Sequence, residues 1–345
     1  MLRFFRGPIL FAFVCLALGA WYGLASSGTF AGMVQVLWIV VVLSVLEISL
    51  SFDNAVVNAT VLKDMDAVWQ KRFLTWGMVI AVYGMYVIFP LAIVAIAAGI
   101  GPVEAVQLSL EDPAQYERIV SSAHIGIAGF GGAFLGMVGL KFFLDEEKDV
   151  HWLHWIEQKL AGISTLPSVE IALLLLALWG ISVMLPAPAA HTFIVAGILG
   201  IVTFIAVDAV GTLLKQRDDR LKALGKAVAS GIGGFIYLNV LDASFSFDAV
   251  IGAFALSNNM IVIALGLSIG AMFVRAMTVM LVRKGTLGAY QYLEHGAFWA
   301  ILALAAVMLA SARFEVPETV TGLIGAAFIG LSLWWSMRHN RRAAA

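Results

Sequence analysis

Two short stretches carry carboxylates inside an otherwise apolar chain: Glu47 and Asp53 in LEISLSFDNAV at 46–56, and Asp242 and Asp248 in LDASFSFDAVI at 241–251. Beside them stand Ser49, Ser51 and Asn54 in the first stretch, Asn58 two residues beyond it, and Ser244 and Ser246 in the second. Carboxylates, hydroxyls and amides are hard oxygen donors suited to Mg, Ca or Mn, and the single cysteine, Cys15, offers no thiolate set for a soft metal. A histidine in the shell would move the preference toward Mn, and His124 and His295 could serve as gate, proton carrier or occasional ligand. Each acid at mid-membrane costs about 2.5 to 3.5 kcal/mol to insert, so four unpaired acids would cost on the order of 10 kcal/mol. A divalent cation or protons would offset that cost. The alternative is that the acids only hold helices together, but the one arginine within a span, Arg275, cannot satisfy four of them. Asp208 could continue an ion path or reach the interface, and Glu294 could orient the neighbouring His295.

Six residues along an unbroken helix turn a side chain by roughly 120°, so Glu47 and Asp53 cannot both face one ion from an ideal helix. The spacing therefore predicts local unwinding at LSFDN and at FSFDA, where hydroxyls and freed carbonyls would join the carboxylates. The second stretch follows the first by 195 residues, matching Glu47 with Asp242, Ser49 with Ser244, Ser51 with Ser246, Phe52 with Phe247 and Asp53 with Asp248. Each is followed by a glycine-containing run (Gly77 and Gly84; Gly266 and Gly270) and then by a run opening near a histidine, His124 or His295. This is the pattern of an internal duplication.

The elements that must hold these residues are membrane helices. Of 345 residues, 61% are hydrophobic and 12% charged, with a mean hydropathy of +0.95, more apolar surface than a soluble protein of this size could bury. Uncharged runs predict ten spans, near 8–26, 31–62, 73–99, 121–144, 168–185, 191–214, 225–256, 260–283, 290–311 and 317–337. Alternating them across a bilayer puts eighteen of the twenty-one Lys and Arg on one side, which makes that side, and both termini, cytoplasmic. The first run has the look of a signal peptide, yet its uncharged stretch of about 20 residues fits a retained span. The two motifs then run in opposite directions, so residues 1–190 and 191–345 read as inverted five-helix repeats, an architecture suited to alternating access. The expected fold is all-α and polytopic.

The longest loops are 100–120 and 145–167; the second contains HWLHWIEQKL, read as an interfacial amphipathic helix with Trp152 and Trp155 at headgroup level. Its His151, His154 and Glu157 could bind a regulatory metal, although such a pattern is usually a polar helix face. Gly126, Gly129, Gly132, Gly136 and Gly139 give the fourth span a smooth face for close helix contact. The absence of a basic block argues against a nucleic-acid partner, and the absence of H-E-x-x-H and G-x-S-x-G motifs argues against an enzyme.

SFDNAV at 51–56, SFDAV at 246–250 and GFGGAFLGMVGLKFFLDEE at 129–147 resemble the TerC family of integral membrane proteins, named for tellurium resistance and placed in the wider LysE group of exporters. The resemblance covers roughly residues 31 to 312 and implies a multi-pass protein of the bacterial inner membrane that exports Mn²⁺, with Glu47, Asp53, Asp242 and Asp248 binding the metal. The chain departs from that pattern in SFD where many relatives have SLDN, in Ala249 after Asp248, and in YLEHGAF ending at Phe298. The expected function is a secondary transporter of a divalent cation that could exchange protons, with the metal as substrate and no bound cofactor. The competing expectation is a scaffold that assists secretion or membrane-protein assembly, binding machinery partners through 145–167. Self-association is compatible with either.

Overall fold

The computed structural model describes residues 2–77, 79–145, 150–163, 168–223, 231–254, 256–314, 316 and 318–343, and among them it is helical with no strand. The first helices are α1 (Leu2–Ser27), α2 (Phe30–Leu50), α3 (Phe52–Leu62) and the short α4 (Ala67–Arg72). Two π-helical stretches follow, Phe73–Gly77 and Ile80–Ile88, running into α5 (Phe89–Ala98), then α6 (Pro102–Glu111) and α7 (Pro113–Ser122). Next come α8 (His124–Phe143), α9 (His154–Ile163), α10 (Val169–Ser182), α11 (Ala187–Ala223) and α12 (Ile232–Phe254). The last are α13 (Met260–Arg283), α14 (Thr286–Ala289), α15 (Leu293–Ser311) and α16 (Glu318–Ala343). Helix thus occupies each of the ten apolar runs.

Among the described residues six helical segments are long and apolar enough to cross a membrane: Phe4–Ser27, Phe30–Leu50, His124–Phe143, Ala187–Leu221, Met260–Arg283 and Leu293–Ser311. Shorter apolar helices at Tyr83–Ile96 and Val169–Ser182 accompany them. Leu10, Phe13, Trp21, Trp38, Ile96 and Trp179 point outward, as side chains do when lipid replaces water around a protein. Together these features mark a membrane protein. A chain in lipid has to satisfy its backbone internally, and some helix starts here are closed by a neighbouring side chain. Thr29 caps α2 through the Gly32 N–H at 3.1 Å, and Asn259 caps α13 through the N–H groups of Ile261 and Val262 at 3.0 and 3.2 Å. Gly28, at φ +63, supplies the left-handed residue that turns α1 back toward α2.

The chain forms two compact units, each assembled from separated stretches. The first comprises 1–51, 71–124 and 245–280; its core joins Cys15 of α1, Val40 of α2 and Val262 and Ile269 of α13. The second comprises 52–70, 125–244 and 281–345, where the rings of Phe142 and Phe298 stack at 3.8 Å between α8 and α15. In this unit the α8 glycines do what close packing requires. A methyl at Gly129 would collide with the Phe193 carbonyl of α11, and one at Gly139 with Leu302 of α15. Each unit draws on both halves of the sequence, before and after residue 190.

Candidate functional site

In the first unit, Glu47 is the buried acid. Its Oε1 accepts hydrogen bonds from the Ser51 hydroxyl at 2.9 Å and from the Tyr86 hydroxyl at 3.1 Å, and only 4% of the residue is exposed. Ser51 is placed by a break in the helix. α2 stops at Leu50, Ser51 takes φ −100 and ψ 19, and α3 starts at Phe52. The unwinding expected at LSFDN is therefore present, confined to one residue. Tyr86 is placed by the π-helix, in which the Phe89 N–H reaches back five residues to the Gly84 carbonyl, so each turn holds an extra residue. Room for the glutamate comes from Gly270 on α13, where any side chain would strike Cβ and Cγ of Glu47. On the same helix Arg275 is buried, donates to the Phe73 carbonyl at 2.8 Å and lies over the Phe73 ring at 4.4 Å, so within this unit it anchors the start of the π-helical stretch.

In the second unit the helix that follows the first motif meets the second motif. Asn58 on α3, four residues past Asn54, donates its amide N–H to Asp242 Oδ1 on α12 at 2.6 Å. That bond fixes the amide orientation and turns Asn58 Oδ1 away from Asp242. The Oδ1 atoms of Asn54 and Asn58 are both buried with no hydrogen-bond partner among the described residues. Unmatched buried carbonyl oxygens cost about 1–3 kcal/mol each, and a cation or a water would relieve them. Asp53 opens α3; its Oδ1 accepts the Asn54 N–H at 2.9 Å, and Oδ2 faces Gly325 of α16. α12 runs unbroken from Ile232 to Phe254, which overturns the unwinding expected at FSFDA. A continuous helix keeps its own carbonyls occupied, so this half offers side-chain oxygens only. Asp248 lies on this helix, and its side chain is outside the described residues.

The remaining sequence candidates fall elsewhere. Ser49 is exposed and gives its hydroxyl to the Val45 carbonyl, on a face of α2 away from Glu47. Ser244 is buried and bonded to the Val240 carbonyl at 3.1 Å, Ser246 is buried in the first unit, and His124 is half-buried at the start of α8. Asp208 pairs with Lys141 of α8 at 2.5 Å. Glu294 pairs with Lys63 at 3.6 Å and does not orient His295. That role belongs to Glu157, whose Oε2 is 3.6 Å from His295 Nε2, while the same nitrogen approaches the Val150 carbonyl at 2.6 Å. Glu157 is fully buried and accepts from the N–H groups of Trp152 and Leu153 and from Trp299 Nε1. The H-x-x-H-x-x-E pattern is thus no ligand triad, since His154 is exposed and the glutamate ties the segment to α15. Trp155 is exposed as expected of an interfacial residue, whereas Trp152 stands against Phe328 and Trp335 of α16.

Sequence reasoning passed over Tyr86, although a signal existed. Tyrosine in membrane helices belongs at the headgroup belt, and one in the middle of an apolar run needs a partner for its hydroxyl. Among the described residues no three His, Cys, Asp or Glu side chains gather closely enough to hold a metal by themselves. Within the second unit, Asp242 offers a charged oxygen and Asn54 and Asn58 offer amide oxygens that lack donors among the described residues, a set of hard oxygen donors.

Residues 52–343 match the family described as "Protein of unknown function (DUF475)". No curated protein and no solved structure matches the chain.

Proposed function

We propose that this chain, which belongs to the DUF475 family, is a secondary transporter that exports a divalent cation, with Mn²⁺ the preferred substrate, from the cytoplasm across the bacterial inner membrane. The observation that carries the reading is the Asn58–Asp242 hydrogen bond. It joins Asn58, two residues beyond the first motif, to Asp242 of the second, and the Oδ1 atoms of Asn54 and Asn58 lack donors among the described residues. Oxygen ligands with one or two charges suit a hard divalent ion that must be released again. In the same reading the chain crosses the bilayer ten times as two inverted repeats with both termini cytoplasmic. Helix in each of the ten apolar runs and the one-sided distribution of Lys and Arg support that topology.

In this reading Asp53 and Asp242 are the cation-binding acids of the second unit, and Glu47 and Asp248 are those of the first. A protein of the TerC type is the relative this reading implies, and its Asp-centred motifs are those at Asp53 and Asp248. Protons are the counter-ion, since carboxylates that release Mn²⁺ in a low-dielectric site must be neutralised before the empty carrier resets. The test is Mn²⁺ flux in proteoliposomes under a pH gradient, comparing the parent with Asp53→Asn, Asp242→Asn and Asn58→Ala. Flux in the variants should fall at least about tenfold, the loss of roughly 1.4 kcal/mol of binding. Unchanged flux in all three would sink the proposal and favour the scaffold reading, in which the central acids are dispensable.

A further inference from the structure

The second unit contains a cavity of about 570 Å³ between α3, α8, α11 and α12, walled in part by Thr60, Val61 and Tyr237. Val61 is three residues beyond Asn58 on α3, and Tyr237 is five residues before Asp242 on α12. The inner end therefore lies roughly 5 to 8 Å along those helices from the Asn58–Asp242 hydrogen bond. Among the described residues its lining carries Asp64, Asp145, Asp208, Asp218 and Asp219 alongside Lys141 and Lys215, five acidic side chains to two basic. Lys141 is bonded to Asp208 at 2.5 Å. Asn58, the buried residue just past the inner end, keeps its Oδ1 without a donor among the described residues.

We infer that this cavity is a second, weaker binding site for hydrated divalent cations, a vestibule that gathers the ion before it reaches the Asn58–Asp242 pair. The inference rests on the transport reading for its purpose but not for its test. A cavity of this volume has room for an ion with its hydration shell, and an excess of carboxylates over ammonium groups raises the local concentration of a cation. The Lys141 ammonium competes with that cation for Asp208. It makes the site weak, and it returns to Asp208 when the ion leaves.

The experiment is Mn²⁺ binding to the purified full-length protein in nanodiscs of uncharged lipid, read from the loss of the free Mn²⁺ electron-paramagnetic-resonance signal. At about 10 mM salt the Asp218→Asn/Asp219→Asn variant should bind at the weak site at least about fivefold less tightly, and Lys141→Met about threefold or more tighter. Raising the salt to about 150 mM should weaken the site in the parent protein, because exposed charges are then screened within about 8 Å. Asn58→Ala should leave it in place. Parent-like weak binding in the double variant, or no gain in Lys141→Met, overturns the vestibule. Loss of flux without loss of weak binding in Asn58→Ala bears only on the transport path, so the two readings fail separately.

Discussion

Replacing Gly270 by alanine should disable Glu47 without removing it. A Cβ at position 270 would lie 3.1 Å from the Ser44 carbonyl and collide with the Glu47 side chain. Comfortable carbon contacts are about 3.5 to 4.0 Å, so α2 and the glutamate must shift by about 1 Å. Small-to-large changes in packed interiors cost about 1–3 kcal/mol. The control is Gly266→Ala, four residues earlier on α13, where a Cβ would lie 3.1 Å from the Val40 carbonyl and 2.6 Å from Leu43 Cβ. The backbone approach is the same at both positions, but the displaced side chain is a leucine in one and the carboxylate in the other. Both variants should lower the thermal midpoint in detergent by a few degrees. Only Gly270→Ala should also pull Glu47 from the hydroxyls of Ser51 and Tyr86, each such charged hydrogen bond being worth about 1.5–3 kcal/mol, and so cut Mn²⁺ flux by about 10–100-fold. Equal flux in the two variants would refute the view that Glu47 geometry, and not general packing, matters here.

Tyr86→Phe should reduce flux less than Gly270→Ala, since Ser51 still serves Glu47; parallel flux and melting measurements on the two variants check the ranking. Glu157→Gln should lower stability by about 2–3 kcal/mol, because a buried acceptor of three N–H donors gains an amide that must face one of them; thermal melts and protease cutting within 150–163 report it. Tyr116→Phe should raise stability by about 1 kcal/mol, as its buried hydroxyl has no partner among the described residues. Burial pushes the Tyr116 phenol up from its ordinary value of 10.0, so the folded chain keeps the proton where the unfolded chain releases it. The parent should accordingly lose stability as pH rises past about 10 and the Phe variant should lose less, which melts at pH 9 and about 11 compare.

Hydropathy and charge alone locate helices in all ten runs, because lipid forces backbone pairing within each segment and the loops hold the charges. Duplication and depth pointed to Glu47 and Asp242, and donor chemistry to Asn58; all three are buried or half-buried with polar partners. What could not be read there depended on contacts distant in sequence or on a change of helical register. The clamp of Glu157 joins residues 142 positions apart through Trp299, and nothing local to H-x-x-H-x-x-E reveals that its glutamate turns inward. Tyr86 was hidden for another reason, since a 3.6-residue period cannot phase a segment wound as a π-helix. Conversely, the symmetry of the two motifs suggested a break in both helices, and only the first has one. Asn54 and Asn58 follow the break at Ser51, whereas the second copy has alanine at 249 and continues as helix.

The π-helical stretches at Phe73–Gly77 and Ile80–Ile88 also bear on how homologous chains should be aligned. Hydrogen bonds that close over five residues give such a stretch more sequence than an α-helix needs for the same height. A relative that lacks one residue between 73 and 88 could span the same height as plain α-helix, with both ends unmoved. Side chains outside the stretch would keep their directions, while those inside it would be re-phased by up to about 100°. A one-position gap there is therefore no trivial indel: it would swing the residue aligned with Tyr86 off Glu47, and a tyrosine retained in the column would no longer be the same contact.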